Sequence, residues 1–428
     1  MSKSFYFHSL GCKVNSYENA AMKVALSNLG YTEAATVEEA SLLIINTCSV
    51  TSVADKKSRQ HIASFRQRNP RAILVAMGCY SQSNAKTCLE KGADIVLGTG
   101  RRSALLDCLK RYETGERGII ELAPNIRLAS YEELGVNAFS ENARAYLKIQ
   151  DGCDNFCSYC AIPFLRGKSR SRQKEEVIAE AVSLWKHGYQ EIIVTGIHIG
   201  AYGKDLGDGS YRLSALLKDI LEACPTLFRL RISSLEESEI DDAFLDLLAK
   251  YPNLVSHLHL PLQSGSSSVL KRMKRPYDTE AFLTTLGRIR SVRPDIAITT
   301  DVIAGFPEES EAEWAETMEF CQKARFAEIH VFPYSSRPLT VAARLPQVDP
   351  ATKKERVHQL LELSKKLREE YEQRFYGREM DVLLEDYDEE KGVCRGHTSN
   401  YLLVSVPSSR PRSGEIVRVK YDSKTASD

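Results

Sequence analysis

The chain has 428 residues, 43% hydrophobic and 27% charged, values that exclude a disordered or collagen-like protein. Its 57 Lys and Arg balance 57 Asp and Glu, so any nucleic-acid surface has to come from local clustering rather than bulk charge. No apolar run approaches the roughly 18 residues that cross a membrane, and the stretch before Gly11 and Cys12 is too short for a secretion signal; the expectation is a cytoplasmic protein that engages no membrane.

The length predicts about three domains. Three apolar runs, FYFHSLGC, SLLIINTC and AILVAMGC, end at Cys12, Cys48 and Cys79, and each is followed by a polar segment of helical character. A fourth run, ADIVLG, leads into another helix. Strands alternating with helices predict a parallel sheet with crossovers. Such sheets bind ligands outside the carboxyl ends of their strands, so the three cysteines are expected to face one crevice. The stretch at about 121–143 reads as a linker. Six further strand–helix units follow, with AYLKIQ, EIIVTG, FRLRISS, VSHLHLPL, AITTDVIAG and EIHVFPY as the candidate strands. Six units predict an incomplete barrel rather than a closed eightfold one. Residues 350–376 read as one long surface helix. After Gly377, the segments MDVLLEDY, GVCRGHTSNYLLVSV and GEIVRVKY predict a small β-barrel. The expected fold class is α/β, with domains at 1–120, 139–370 and 371–428.

Eleven cysteines are unevenly placed. In a reducing compartment they favour metal or redox chemistry over disulfides. The strongest signal is GCDNFCSYC, with Cys153, Cys157 and Cys160 on one short loop. Three thiolates there suit three corners of a four-iron cluster and leave its fourth iron open. The loop follows the first barrel strand, at the face where barrel active sites gather. A structural zinc site and three unrelated thiols are the competing readings, but zinc usually takes four protein ligands and no nearby Cys or His completes them.

This spacing, with Tyr159 just before the third cysteine, resembles the radical S-adenosylmethionine enzymes. The resemblance implies a partial (β/α)6 barrel whose cluster binds S-adenosylmethionine through its open iron and, once reduced, cleaves it to a 5′-deoxyadenosyl radical. A lone cysteine at a strand end is more often a buried filler than a ligand. SLGCKVN, INTCSVT and MGCYSQ, however, resemble the three segments of the methylthiotransferase N-terminal domain. That implies a second four-iron cluster on Cys12, Cys48 and Cys79, which handles the transferred sulfur. TGIHIGAYG, ISSLEE, HLPLQSGS, TDVIAGFP and HVFPYSSR extend the resemblance over almost the whole chain, ending in the small barrel the family calls a TRAM domain. The segment Cys12-Lys13-Val14-Asn15 is similar to the branch that modifies threonylcarbamoyl-adenosine in tRNA; the isopentenyl-adenosine branch more typically reads CQMN, and the ribosomal-protein branch has Pro after that cysteine. Pro338-Leu339, after HVFPYSSR, departs from the family, where a glycine is usual.

The resemblance implies methylthiolation of C2 of N6-threonylcarbamoyladenosine next to the anticodon, using two [4Fe-4S] clusters and S-adenosylmethionine. The implied partners are tRNA, a flavodoxin- or ferredoxin-like electron donor and a sulfur donor, with the enzyme acting as a monomer. Rival readings are the isopentenyl-adenosine branch, modification of a ribosomal protein, and a non-catalytic iron–sulfur RNA-binding protein. The last would form no 5′-deoxyadenosine.

Other residues are placed by barrel geometry. Gly196, after the second barrel strand, permits close backbone approach to a ligand; the resemblance puts the methionine moiety of the cofactor there, and an ordinary turn is the alternative. Glu236 and Gln263 follow the third and fourth strands and are candidates for hydrogen bonds to the cofactor, with solvated loop residues as the alternative. His257 and His259 read as structural histidines. Arg166, Lys168 and Arg170 lie in a run free of acids, and Arg410, Arg412 and Lys420 lie near the end; both groups are candidate phosphate contacts or ordinary charged faces. Arg166 is also the candidate partner for the substrate's carboxylate. The acidic stretch Glu385–Glu390 keeps the terminal barrel from being uniformly basic.

Overall fold

The computed structural model describes residues 3–123, 131–134, 143–207, 209–423 and 425–426, so most of the expected linker lies outside the described residues. The run LLIINT is buried at every position, as a strand covered on both faces must be. It lies in a parallel six-stranded sheet ordered Thr32–Glu33, Ser4–Ser9, Leu42–Thr47, Ile73–Gly78, Ile95–Leu97, Ile119–Glu121. Two apolar cores sandwich it, one around Leu43, Ile45 and Phe65, the other around Ile44, Val75 and Leu97. The two outermost strands have two and three residues, too few for an apolar run to reveal them. Because Ser4–Ser9, Leu42–Thr47 and Ile73–Gly78 are neighbours, the cysteines that follow them emerge side by side.

The six expected barrel strands form two parallel three-stranded sheets. Arg144–Lys148, Glu191–Thr195 and Arg229–Ile232 make one, and His257–His259, Ala297–Ala304 and Glu328–Pro333 make the other. A bridge between Leu230 and Leu254, and a bond from the Leu235 amide to the His259 carbonyl at 3.0 Å, join them. Among the described residues no pairing links Arg144–Lys148 to Glu328–Pro333, so the barrel stays open there. Strand alternation sorts its residues. Leu147, Ile192, Val194, Leu230, Ile232, Leu258 and Ile298 join the core beneath the helices, which leaves Arg144, Glu191, Arg231, His257, Thr299 and Asp301 on the lumen side. His257 and His259 share the Thr299 hydroxyl, at 3.0 and 2.9 Å, in keeping with structural roles.

The long helix runs Pro350–Gln373. The Asp349 carboxylate accepts from the amides of Ala351 and Thr352, a cap contributing about 1 kcal/mol. Leu360, Leu363, Leu367 and Tyr371 form its buried stripe. Beyond it, Glu379–Asp388, Val393–Thr398, Leu403–Pro407 and Ile416–Lys420 form an antiparallel sheet. The segment read as one run, GVCRGHTSNYLLVSV, is a hairpin whose turn includes Tyr401 at φ 66°. The sheet curls until Val404 meets Ala426 and the Ser405 amide reaches the Thr425 carbonyl at 2.8 Å.

This curled sheet seals the amino end of the barrel strands. The Arg229 guanidinium donates to the carbonyls of His397 (2.8 Å) and Asp381 (2.7 Å), and Arg144 pairs with Glu385. The His257 ring stacks on Tyr401 at 4.3 Å. The carboxylate at the centre is Glu191, which faces Arg231 at 2.7 Å, Arg144 at 3.2 Å and Arg229 at 3.6 Å. Burial pushes its carboxyl up, but the guanidiniums outweigh burial and hold it at about 2, below the ordinary 4.5. Its contribution is therefore complete above pH 4.5 and fades as pH falls towards 2. Glu191→Gln leaves three buried cations short of a partner and should cost about 3–5 kcal/mol at neutral pH. Urea melts followed by tryptophan fluorescence should show this, with the gap to the parent narrowing below pH 4.5; equal midpoints at pH 7 would contradict it.

Candidate active site between two cysteine triads

Cys12 sits at the N-cap of the helix Lys13–Asn28, Cys48 directly after its strand, and Cys79 at the first position of the helix Cys79–Ser83. Gly11, at φ +104°, lets the first turn close on the second: a Cβ there would lie 3.0 Å from the Cys48 Sγ. Burial, and then the charges of Cys79 and Cys12, push the Cys48 thiol up to about 11. Cys79 is raised by burial too, but Arg166 opposes the rise, its Nε donating to the Cys79 Sγ at 3.3 Å.

The second triad is built on a single loop. The Cys153 amide donates to the Gly167 carbonyl and the Cys160 amide to the Cys157 carbonyl, both at 3.0 Å, so the loop folds back on itself. Burial and the neighbouring thiols raise Cys160 to about 12. Arg275 donates to the Cys157 Sγ at 3.3 Å and pairs with Glu236 at 3.0 Å. His198 lies 3.7 Å from the Cys153 Sγ and 2.5 Å from Glu239. Each triad thus has a buried guanidinium on one sulfur, which favours the thiolate that iron binds. In neither triad do all three Sγ atoms lie within 4.8 Å of one another. Zinc, at about 2.3 Å from each sulfur, would hold them roughly 4 Å apart. The wider spacing fits a cluster better than a single ion.

A cleft of about 200 Å³ opens between the turn after Cys48 and the loop that carries Cys157 and Cys160. Val50 and Thr51, from the turn after Cys48, line one wall; Tyr159, between Cys157 and Cys160, lines another; Gln263, Asp301, Ile303 and the segment Phe332–Ser335 complete it. Gln263 holds a left-handed φ of 71° while bridging to Val302, a backbone state costing about 1–3 kcal/mol and typical of functional sites. The end of the last barrel strand is bolted to the Cys48 turn: Arg337 reaches Asp55 and the Ser49 hydroxyl, each at 2.8 Å.

The expected cofactor residues separate. Tyr159 and Gln263 face the cleft. Glu236 is occupied by Arg275 and so acts on the second triad from behind. At Gly196 a Cβ would lie 2.9 Å from the Gln150 carbonyl oxygen, and the Gln150 side chain accepts from the Ile197 and His198 amides. Glycine there serves the packing of the turn that carries His198.

Two expected RNA contacts are corrected. Arg166 is 1% exposed and Arg170 is 4% exposed. Arg166 binds Glu18 and Asp151, each at 3.0 Å, and Arg170 faces Asp151 at 3.8 Å. The acid-free run therefore meets its acids in space, on the opposite domain and at the base of its own loop. The same burial removes Arg166 as partner for a substrate carboxylate. Lys168, Arg410 and Lys420 are exposed, and Arg412 is half-buried with its Nε 2.8 Å from Glu415. Sequence reading missed Arg275, which stands in the charged run KRMKRPYD and carries no local mark of its role.

Each triad offers a four-iron cluster three sulfurs, so anaerobically reconstituted protein is expected to bind about eight irons. Replacing Cys153, Cys157 and Cys160 by Ala should leave about half, and replacing Cys12, Cys48 and Cys79 should also leave about half. An iron assay that finds either variant empty would contradict two independent sites.

Residues 147–321 match the Radical SAM superfamily, and residues 4–98 match the Uncharacterized protein family UPF0004. The chain is 42% identical to the threonylcarbamoyladenosine tRNA methylthiotransferase MtaB of Bacillus subtilis, over 97% of this chain and 92% of that protein. It is 36% identical to the protein of the same name from Thermotoga maritima, over 98% and 94%. Against the tRNA-2-methylthio-N(6)-dimethylallyladenosine synthase of Bacillus velezensis the identity is 32%, over 98% and 84%. Among solved structures, the radical S-adenosylmethionine methyltransferase TsrM from Kitasatospora setae shares the fold, with a TM-score of 0.60, 14% identity and coverage of 80% and 74%. The chain belongs to the radical S-adenosylmethionine methylthiotransferase family, on the branch of the Bacillus subtilis and Thermotoga maritima threonylcarbamoyladenosine enzymes.

Proposed function

We propose that this chain adds a methylthio group to C2 of N6-threonylcarbamoyladenosine next to the anticodon of tRNA, giving 2-methylthio-N6-threonylcarbamoyladenosine. Cys153, Cys157 and Cys160 hold the cluster that works on S-adenosylmethionine, and Cys12, Cys48 and Cys79 hold the cluster that handles sulfur. The observation that carries this is the shared cleft, with Thr51 beside the first triad and Tyr159 within the second. When bound, the two clusters and S-adenosylmethionine supply the radical that removes hydrogen from C2, the methyl group and the sulfur.

The chain's own residues orient and shield. Arg166 and Arg275 each donate to one sulfur of a triad and oppose the burial that raises it. Tyr159 and Gln263 bind the cofactor from the cleft wall, and Val50, Ile303 and Phe332 give the cleft an apolar wall for the base to pack against. An anticodon-loop base is already single-stranded, so presenting it costs little. Lys168, Arg410, Arg412 and Lys420 meet RNA phosphates. An external electron donor of flavodoxin or ferredoxin type and a sulfur donor complete each turnover, and the enzyme works as a monomer.

Purified, reconstituted enzyme given tRNA with threonylcarbamoyl-adenosine and tRNA with isopentenyl-adenosine in competition should methylthiolate the first, as read by nucleoside mass spectrometry. Preference for the second would overturn the substrate while leaving the reaction class. Replacing Arg410, Arg412 and Lys420 together by Gln should lower the salt slope of tRNA affinity by about 2–3, since up to three counterions fewer are released. An unchanged slope would move the RNA surface elsewhere.

A further inference from the structure

Parallel pairing sets His259 opposite Thr299 and His330 opposite Asp301. Thr299 and Asp301 are two residues apart on one strand, so both point into the barrel lumen. Imidazoles from the two neighbouring strands therefore flank one carboxylate. His259 Nε2 lies 3.2 Å from Asp301 Oδ1, and the two imidazole rings lie 5.5 Å apart. One ligand atom from each of the three residues falls within 4.8 Å of the others. Adjacent ligands that share one ion stand roughly 3.0–3.4 Å apart, given bonds of about 2.1 Å in octahedral or tetrahedral geometry. The His259–Asp301 spacing suits a shared cation.

The surroundings fit that use. The Thr299 hydroxyl meets His259 Nδ1 at 2.9 Å and so leaves the other ring nitrogen facing Asp301, as the outer partners of metal-binding histidines do. Among the described residues the Asp301 carboxylate makes no hydrogen bond, and Glu328, 3.8 Å from His330, adds a second negative charge. All three residues are partly exposed, so an ion can enter. Asp301 also lines the cleft, where it is the only charged side chain among the described residues. A substrate carboxylate entering there would meet an acid and no cation, which is costly unless a positive charge comes between them.

We propose that His259, Asp301 and His330 bind one divalent transition-metal ion, and that its open positions take the carboxylate of the threonylcarbamoyl group. Two imidazoles and one carboxylate leave such an ion with both net positive charge and vacant positions. The occupant of those positions rests on the substrate proposed above; the ion itself does not.

The test dialyses cluster-loaded enzyme against Mn(II) after gel filtration and measures manganese, zinc and iron by mass spectrometry. About one ion per chain, manganese or retained zinc, should be found beyond the cluster iron. Asp301→Asn and His330→Gln should each lose it with iron unchanged. Affinity is then measured with and without Mn(II) for two anticodon stem-loops, one with threonylcarbamoyl-adenosine and one with its carboxylate capped as a methyl ester. The ion should tighten binding of the acid about ten- to a hundredfold, the scale of a charged hydrogen bond, and leave the ester unmoved. A wild type without the ion, or variants that keep it, overturns the site. An ion that tightens acid and ester alike, or neither, overturns the pairing with the carboxylate. Methylthiolation of threonylcarbamoyl-adenosine tRNA by the wild type is scored separately, so the substrate reading stands or falls on its own.

Discussion

The Arg166 guanidinium is the point on which the molecule turns. It leaves the radical-domain loop six residues after Cys160, crosses to the N-terminal domain, and meets Glu18, Asn15 and the Cys79 sulfur. Glu18 is fully buried and also takes Arg102 at 2.7 Å and Lys148 at 3.0 Å. Asp151, at the base of the loop, takes Lys148 at 2.7 Å and Arg166 at 3.0 Å. Burial raises the Glu18 carboxyl, but Arg102, Arg166 and Lys148 outweigh it and hold the group at about 2. Removing one member would strand charges in low dielectric, at about 3–5 kcal/mol.

That network has more positive than negative charge. Arg102, Lys148, Arg166 and Arg170 outnumber Glu18 and Asp151, even with Glu132 added on the Arg102 side. A cluster held by the thiolates of the first triad would supply the remaining negative charge. Binding of a cluster there and docking of the two domains are thus one electrostatic problem. The lumen repeats the pattern: three arginines crowd Glu191.

The parts legible in the sequence were those with a local period or spacing. The strands ending at Cys12, Cys48 and Cys79, the six barrel strands and the long helix all fell where apolar runs placed them. The cleft position followed from strand topology, because carboxyl ends of parallel neighbours converge. What charge counting along the chain missed was pairing across domains. Arg166 and Arg170 looked free because Glu18 lies 148 residues away from Arg166. Glu236 looked like a cofactor ligand because nothing local marks Arg275 as its partner. The Thr398–Leu402 turn was hidden inside the segment GVCRGHTSNYLLVSV, since Tyr401 there takes a positive φ with no glycine to announce it.

If the Arg166 network holds the two triads in register, loosening it should uncouple cofactor cleavage from product formation. The direct measurement is the ratio of 5′-deoxyadenosine to methylthiolated base in Arg166→Lys, which keeps the charge but loses the planar fork. A ratio is insensitive to the fraction of enzyme that is folded. It should rise several-fold over the wild type while iron content holds; an unchanged ratio would contradict the claim that this buried contact aligns the two sites.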